Sequence, residues 1–281
     1  MKRYTRKEVT DRLNAVIARK DSILIAGCGC GESARQCEKG GADLIGVYTS
    51  SFFRMEGIYA IPQWLPLINN NKKVLELLTE VSAVIDSVPL IAGVMSNDAT
   101  LDYEEYIGKL KAAGCSCYMS FPTISWHEGR VRKAADEAGI GFPRELEIAR
   151  LAREMDLFSI GYAFNAEDAV ATAASGMDLL ILHMGRTIGG ATGDAKQTKL
   201  TVEDAIEKIN EWYDMAKAAN PDVMIFAHGG PISNPDDVEQ MFRHTKVTGF
   251  LGASSCERIP IEKPQENFIR DVKALKIRAS L

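Results

Sequence analysis

The 281-residue chain has few cysteines, no block of basic residues and no long apolar run, and each shortage excludes a class of protein. Six cysteines are too few for a disulfide scaffold at this length, which favours a reducing cytoplasm. A formal net charge of −5 without clustered lysine or arginine gives no electrostatic signature of nucleic-acid or membrane binding. No apolar stretch resembles a signal peptide or approaches the ~20 residues of a membrane span. We therefore expect a cytoplasmic protein whose partner is a small anionic metabolite.

Eight short apolar runs alternate with helical patterns along the chain. The runs are mostly continuous rather than alternating, which is typical of strands covered on both faces. This alternation favours a (β/α)8 TIM barrel of the α/β class over a doubly wound open sheet, which would have fewer strands and an early G-x-G-x-x-G turn. The predicted strands are Ser22–Cys28, Asp43–Tyr48, Pro89–Met95, Cys115–Phe121, Leu157–Ala163, Asp178–Met184, Val223–His228 and Gly249–Ala253.

No proline-rich or serine-rich linker interrupts the chain, so we predict one domain over residues 1–281. Thr5 and Glu8 form a capping-box pattern that predicts a helix within residues 1–20, placed to close the bottom of a barrel formed by residues 22–281. The connections at 50–71 and 122–155 exceed ordinary loop lengths. We expect both to carry short helices over the mouth of the barrel.

Two of the four histidines end predicted strands, where the active sites of such barrels are built. Because imidazole exchanges protons near neutral pH, we predict that His183 and His228 are catalytic, assisted by Asp98. Each histidine could instead order its loop by hydrogen bonding to the backbone. Asp98 could equally cap the helix that follows it.

Glycine and small hydroxyl residues follow the last two strands, where exposed backbone N–H groups could hold a phosphate or another anion. The segment Gly185–Gly193 contains four glycines and is predicted to be a mobile lid, the alternative being an ordinary surface loop. The predicted anion-binding and substrate-binding residues are Ser50, Tyr162, Asn165, Arg186, Gly229, Gly230, Gly252, Ala253 and Ser254.

The sequence does not identify a cofactor, and we predict no metal-ligating residue. A zinc site from Cys28, Cys30, His183 and His228 is disfavoured because C-x-C is not the usual ligand spacing. A divalent metal such as magnesium would be expected to need a carboxylate cluster, which the sequence does not offer. Cys28 could be a nucleophile if its pKa were lowered, or a small core residue.

Several of these strand ends together resemble the phosphoenolpyruvate hydrolase-like TIM-barrel family. The matching strings are Tyr162-Ala-Phe-Asn165, His183-Met-Gly185, His228-Gly-Gly-Pro-Ile232 and Gly252-Ala-Ser-Ser255, and the likeness extends over essentially the whole chain. The chain also resembles the C-terminal barrel of a plant antiviral resistance protein.

The resemblance implies a lyase or hydrolase that acts on a small phosphorylated or keto acid through an enolate-like intermediate. Better-understood relatives hold magnesium with an aspartate-rich run, where this chain has Ser96-Asn-Asp98. The alternatives are a non-catalytic barrel that binds a metabolite and signals or assembles with a partner, and a flavin or nicotinamide enzyme. We also expect a homo-oligomer.

Overall fold

The computed structural model describes residues 2–190 and 199–277, and its centre is a closed barrel of eight parallel strands. The strands pair in chain order, and β8 pairs with β1 to close the sheet. The predicted (β/α)8 barrel is confirmed, with each predicted strand present. The strands are β1 Ile23–Gly27, β2 Leu44–Val47, β3 Leu90–Val94, β4 Cys115–Ser120, β5 Phe158–Ala163, β6 Leu179–His183, β7 Met224–His228 and β8 Gly249–Gly252.

Helices surround the barrel and also fill the two long connections at its mouth. The first connection contains the helix Thr49–Met55 and the short 3-10 helix Ile61–Trp64. The second contains the 3-10 helix Ile124–Trp126, followed by the helices Gly129–Glu137 and Phe142–Glu154. The expected short helices are therefore present. The helices are α1 Arg6–Ala18, α2 Gly31–Lys39, α3 Thr49–Met55, α4 Asn70–Ser82, α5 Tyr103–Ala112, α6 Gly129–Glu137, α7 Phe142–Glu154, α8 Ala166–Ala174, α9 Val202–Ala219, α10 Pro235–His244 and α11 Ile259–Ala274.

Helix α1 closes the N-terminal end of the barrel, as predicted. It begins with the expected capping box, in which the Thr5 hydroxyl accepts from the Glu8 N–H and the Glu8 carboxylate accepts from the Thr5 N–H. Its buried face carries Val9 and Leu13, which pack with the side chains inside the barrel. Arg6 adds an ion pair of 2.7 Å to Asp178, the residue before β6.

The core has an inner layer within the barrel and outer layers between strands and helices. Side chains such as Ile25, Ile91 and Ile181 fill the interior, and Ile45, Val47 and their neighbours pack outward against the helices. A strand sequence that is apolar on both faces is required for this arrangement. Among the residues that the structure describes, no helix is both long enough and apolar enough to cross a bilayer.

Candidate active site

A small cavity opens at the C-terminal ends of the strands. Its volume is about 60 Å³, which is enough to hold water or a small ligand. A metabolite of a few carbon atoms fits this space better than a nucleotide. The predicted site residues that line it are Ser50, Tyr162, His183, Arg186, His228, Ala253 and Ser254.

Three arginines lie at the cavity. Arg54, Arg186 and Arg258 line it, and no aspartate or glutamate is found among its lining residues in the described part of the chain. The Arg258 guanidinium is held in place because it donates to Glu262 Oε1 at 3.0 Å and to the Gly189 carbonyl at 2.9 Å. Guanidinium groups in a shielded cavity favour carboxylate or phosphate ligands.

The two predicted catalytic histidines lie side by side, with ring centroids 4.4 Å apart at an interplanar angle of 84°. His228 Nδ1 lies 2.6 Å from the Leu251 carbonyl oxygen, which can only accept, so Nδ1 carries the proton. His183 Nδ1 instead accepts from the Gly185 N–H at 3.0 Å, so the proton of that neutral ring is on Nε2. The two rings are therefore opposite tautomers, one offering an Nε2–H donor and the other an Nε2 lone pair.

Both rings are neutral at pH 7. Burial lowers the pKa of His228 to about 4. Burial, together with the neighbouring His228, holds the pKa of His183 well below its usual range. A neutral pair can donate one proton and accept another, which a pair of imidazolium ions could not do.

Acidification is expected to destabilise the fold through His228. The unfolded chain takes up this proton near pH 6.5, whereas the buried ring does so near pH 4. The neutral ring therefore contributes roughly 3 kcal/mol to the free energy of unfolding. This contribution is complete above pH 6.5 and is lost as the pH falls towards 4. Urea unfolding at pH 7 and pH 4 should show a smaller loss for His228→Asn than for the wild type. Equal losses in the two proteins would contradict this prediction.

The glycines after β6 and β7 bring two loops into close contact. Gly229 and Gly230 have φ angles of +77° and +59°, in the left-handed region that favours glycine. A Cβ atom on Gly229 would lie 2.3 Å from the Gly185 carbonyl oxygen. The Gly230 N–H already donates to that same oxygen at 2.7 Å, so it has a partner within the protein. Gly252 is the last residue of β8.

The predicted lid is only partly within the described residues. Its first half is tied down, because the Ile188 N–H donates to the Gly230 carbonyl at 3.1 Å and the Gly189 carbonyl accepts from Arg258. Residues 191–193 of the predicted lid lie outside the described part of the chain.

Two predicted site residues have local hydrogen bonds and do not line the cavity. Asp98 accepts from the Thr100 N–H at 2.9 Å and from the Thr100 hydroxyl at 2.6 Å, and the cap of α5 is Asp102. Asn165 is the N-cap of α8. The structure therefore gathers the histidines, Tyr162, Arg186 and the β2 and β8 loop residues, but not these two side chains. The predicted anion-binding glycines Gly229, Gly230 and Gly252 are not among the residues that line the cavity either.

Several cavity residues could not be identified from the sequence. They come mainly from the long connections, and they give the cavity an aromatic wall in which Trp64 stacks on Trp126 with centroids 4.9 Å apart. The length of the connections indicated that they would cover the mouth. It carried no signal for which side chains would face the cavity. The additional residues are Tyr59, Ala60, Gln63, Trp64 and Trp126.

A buried ion pair underlies the cavity wall. Arg54 of α3 pairs with Glu257, which follows β8, and the side chains are 7% and 0% exposed. Arg54 Nη2 donates to Glu257 Oε1 at 2.9 Å, and the Ser51 hydroxyl donates to the same oxygen at 2.5 Å. The pair ties the helix that carries Ser50 to the loop that carries Ser254.

The thiol of Cys28 is not activated. A hydrogen bond with Cys37 and then burial raise the pKa of Cys28 well above its usual range. The protonated thiol is a poor nucleophile. This environment favours the interpretation of Cys28 as a core residue.

Comparisons with known proteins agree with this barrel. A family model described as phosphoenolpyruvate hydrolase-like matches residues 8–275. Two proteins of Solanum lycopersicum are similar: the ToMV susceptible protein tm-1(GCR26), 34% identical over 96% of this chain, and the ToMV resistance protein Tm-1(GCR237), 33% identical over 97%. The chain spans 36% of the length of each.

A crystal structure of phosphonopyruvate hydrolase with oxalate and Mg²⁺ has the same fold. Its TM-score is 0.61 at 16% identity, and the match covers 94% of this chain and 87% of that one.

The residues of this chain do not fit such a magnesium site. After β3, Asp98 is engaged by Thr100, and the Asn97 side-chain amide donates to the Gly141 carbonyl at 3.2 Å. In residues 2–190 and 199–277, no three His, Cys, Asp or Glu side chains are placed to share a metal ion. Magnesium prefers carboxylate oxygens, whereas the cavity is lined by guanidinium groups.

Proposed function

The chain belongs to the phosphoenolpyruvate hydrolase-like family, and from this premise we propose that it is a hydrolase or lyase acting on a small keto or phosphorylated acid through an enolate-like intermediate. The observation that carries the proposal is the pair of neutral histidines of opposite tautomer, which line one cavity together with Arg186 and Arg258. The phosphonopyruvate hydrolase of the same fold binds oxalate, a small dianion. A ligand of that class suits this cavity in size and charge.

The chemistry follows from the two ring nitrogens that remain for a ligand. His228 Nε2 accepts the proton of a substrate hydroxyl or of a water nucleophile. As the bond to the leaving acid breaks, its electron pair passes into an enolate, and His183 Nε2–H donates a hydrogen bond to the enolate oxygen. Arg186 and Arg258 offset the growing negative charge. The proton on His228 then returns to the enolate carbon.

Turnover of a panel of acids tests the proposal. The purified chain is incubated with C3 to C5 keto, hydroxy, phospho and phosphono acids, and products are followed by ¹H and ³¹P NMR. Native mass spectrometry with oxalate reports binding without chemistry. We expect one acid to be consumed and oxalate to inhibit. Binding of oxalate with no acid consumed, across the panel, would contradict the enzyme proposal.

A non-catalytic metabolite-binding barrel is the second candidate. It is favoured by the resistance and susceptible proteins among the relatives and by the poor fit of the strand ends to magnesium. In that case the neutral histidines would act only as hydrogen-bond partners for the ligand. The same panel separates the two functions, because a binder would give ligand complexes and no product.

We also propose that the chain forms a homo-oligomer, because α11 exposes an apolar stripe. Phe268, Ile269, Val272 and Leu275 recur at helical spacing and are 67%, 57%, 49% and 74% exposed. Monomers rarely leave so continuous an apolar surface in water. A second copy of the chain is the partner that this proposal names.

Substituting Phe268→Asp is expected to weaken this association. Light scattering coupled to gel filtration should give a dimer or larger species for the wild type and a smaller mass for the variant at the same concentration. Asp271→Asn, on the same exposed helix, is the control and should keep the wild-type mass. A wild-type monomer at micromolar concentration would contradict the proposal.

A further inference from the structure

Buried polar atoms without a hydrogen-bond partner gather at the cavity. In the described part of the chain, the partnerless atoms among its lining residues are the Tyr48 hydroxyl, the Ser50 hydroxyl, both ends of the Gln63 amide and the Trp64 Nε1. Native proteins leave few such groups unpaired, since each costs the free energy of its lost water contacts. The Tyr48 hydroxyl lies towards Gly27 and Glu257, beside the buried ion pair. The other four atoms belong to Ser50, Gln63 and Trp64, which line the cavity, and a ligand bound there would supply their missing partners.

Gln63 is the most informative of these residues, because its position is fixed while its amide is not bonded. The residue is 1% exposed, and its backbone carbonyl oxygen accepts from Asn70 Nδ2 at 3.0 Å. Asn70 is held in turn by the Thr49 hydroxyl at 2.5 Å. The backbone that carries the amide is therefore anchored before any ligand arrives, which lowers the cost of binding one.

The Gln63 amide needs both kinds of partner. Its NH₂ group requires an acceptor, whereas its carbonyl oxygen requires a donor. An ionised carboxylate, a phosphate or a keto group has only acceptors and would leave this carbonyl unpaired. A hydroxyl group satisfies both ends of the requirement, because it accepts and donates. Either Trp64 Nε1–H or the Ser50 hydroxyl can donate to the second lone pair of the same oxygen.

We propose that Gln63, Trp64 and Ser50 form a subsite for a ligand hydroxyl, so that the ligand of the cavity is a small hydroxy acid. The acid group lies towards Arg186 and Arg258, and the hydroxyl lies against the Gln63 amide. This inference rests on the proposed function and specifies its substrate further: the small acid bound in the cavity carries a hydroxyl group. Gln63 is a specificity-determining residue in this arrangement.

Pairs of acids that differ by one hydroxyl test the subsite. Dissociation constants of malate and succinate, and of lactate and propionate, are measured by calorimetry or ligand-detected NMR for the wild type and for Gln63→Met. The wild type should prefer the hydroxy member by roughly 5- to 150-fold, the range typical of one buried hydrogen-bonded group. Gln63→Met should lose most of that preference and keep its affinity for the deoxy member. Gln36→Met, at an exposed glutamine of α2, should match the wild type.

The outcomes separate the subsite from the proposed function. The subsite would be overturned if the wild type bound both members of a pair equally, or if Gln63→Met kept the wild-type preference. The cavity would then bind the acid group without recognising a hydroxyl. Failure of all the acids and of oxalate to bind would overturn the proposed function as well.

Thermal unfolding gives a second readout. Because the variant removes an unpaired buried amide, its melting temperature without ligand should equal or exceed that of the wild type. A lower one would mean that the amide is partnered structurally, which overturns the proposal.

Discussion

Replacing His228 with asparagine is expected to lower turnover by roughly 10²–10⁴-fold, the usual contribution of a general acid or base. The asparagine amide N–H can still donate to the Leu251 carbonyl, as Nδ1 does at 2.6 Å in the wild type. It has no nitrogen lone pair in the place of Nε2, so the proton acceptor is lost while the local fold is preserved. The measurement is kcat/KM for the acid found in the panel, with oxalate affinity as the check that the cavity is intact.

The pH dependence provides an independent readout. Because burial lowers the pKa of His228 to about 4, the base form persists well below pH 6.5, and kcat/KM should fall on the acid side near pH 4. His244→Asn, the same substitution at an exposed helix end, is the control and should leave the rate unchanged. Rates of His228→Asn and His183→Asn within a few-fold of the wild type would assign both histidines a structural role.

The barrel could be predicted because each strand and each helix start is specified by a short stretch of sequence, and this pattern repeats along the chain. A strand buried on both faces must be apolar along its length, and runs such as Leu179–His183 show this directly in the sequence. Caps are equally local: Thr5 and Glu8, or Asn234 before Pro235, mark the helix starts at which the structure has them. Boundaries differ by a residue or two, because the strand ends merge with the loops.

The site was predictable where it depends on strand ends and not where it depends on distant partners. His183 and His228 end adjacent strands, so their proximity follows from the barrel itself. The ion pair of Arg54 could not be predicted, because its partner, Glu257, is 203 residues away along the chain. Gln63 and Trp64 lie within a long connection, where no periodic pattern reports which side chains face inward. The sequence could not show whether Asp98 would face the cavity or hydrogen-bond to a neighbouring residue, as it does with Thr100.

The substitution Glu257→Gln is expected to destabilise the fold by about 3–5 kcal/mol, because it leaves the buried Arg54 charge without its counter-ion. Burial alone would lower the pKa of Arg54, but the charge of Glu257 outweighs it and raises the pKa in the wild type, so removing Glu257 leaves the cost of burying the guanidinium without compensation. Glutamine keeps the size of the side chain and a hydrogen-bond acceptor for Ser51, so the loss isolates the charge. Urea unfolding at pH 7 measures it.

The exposed pair Arg243–Glu239 supplies a matched control. Its atoms lie 2.6 Å apart, yet its side chains are 69% and 61% exposed, and Glu239→Gln should cost only about 0.3–0.5 kcal/mol. Replacing both members of the buried pair, as Arg54→Met with Glu257→Leu, should restore much of the stability lost in Glu257→Gln, since no unpaired charge remains. A loss in Glu257→Gln no larger than in Glu239→Gln would mean that water or a neighbouring group compensates Arg54. The contact between α3 and the loop after β8 would then not depend on this ion pair, and packing alone would hold the cavity wall in place.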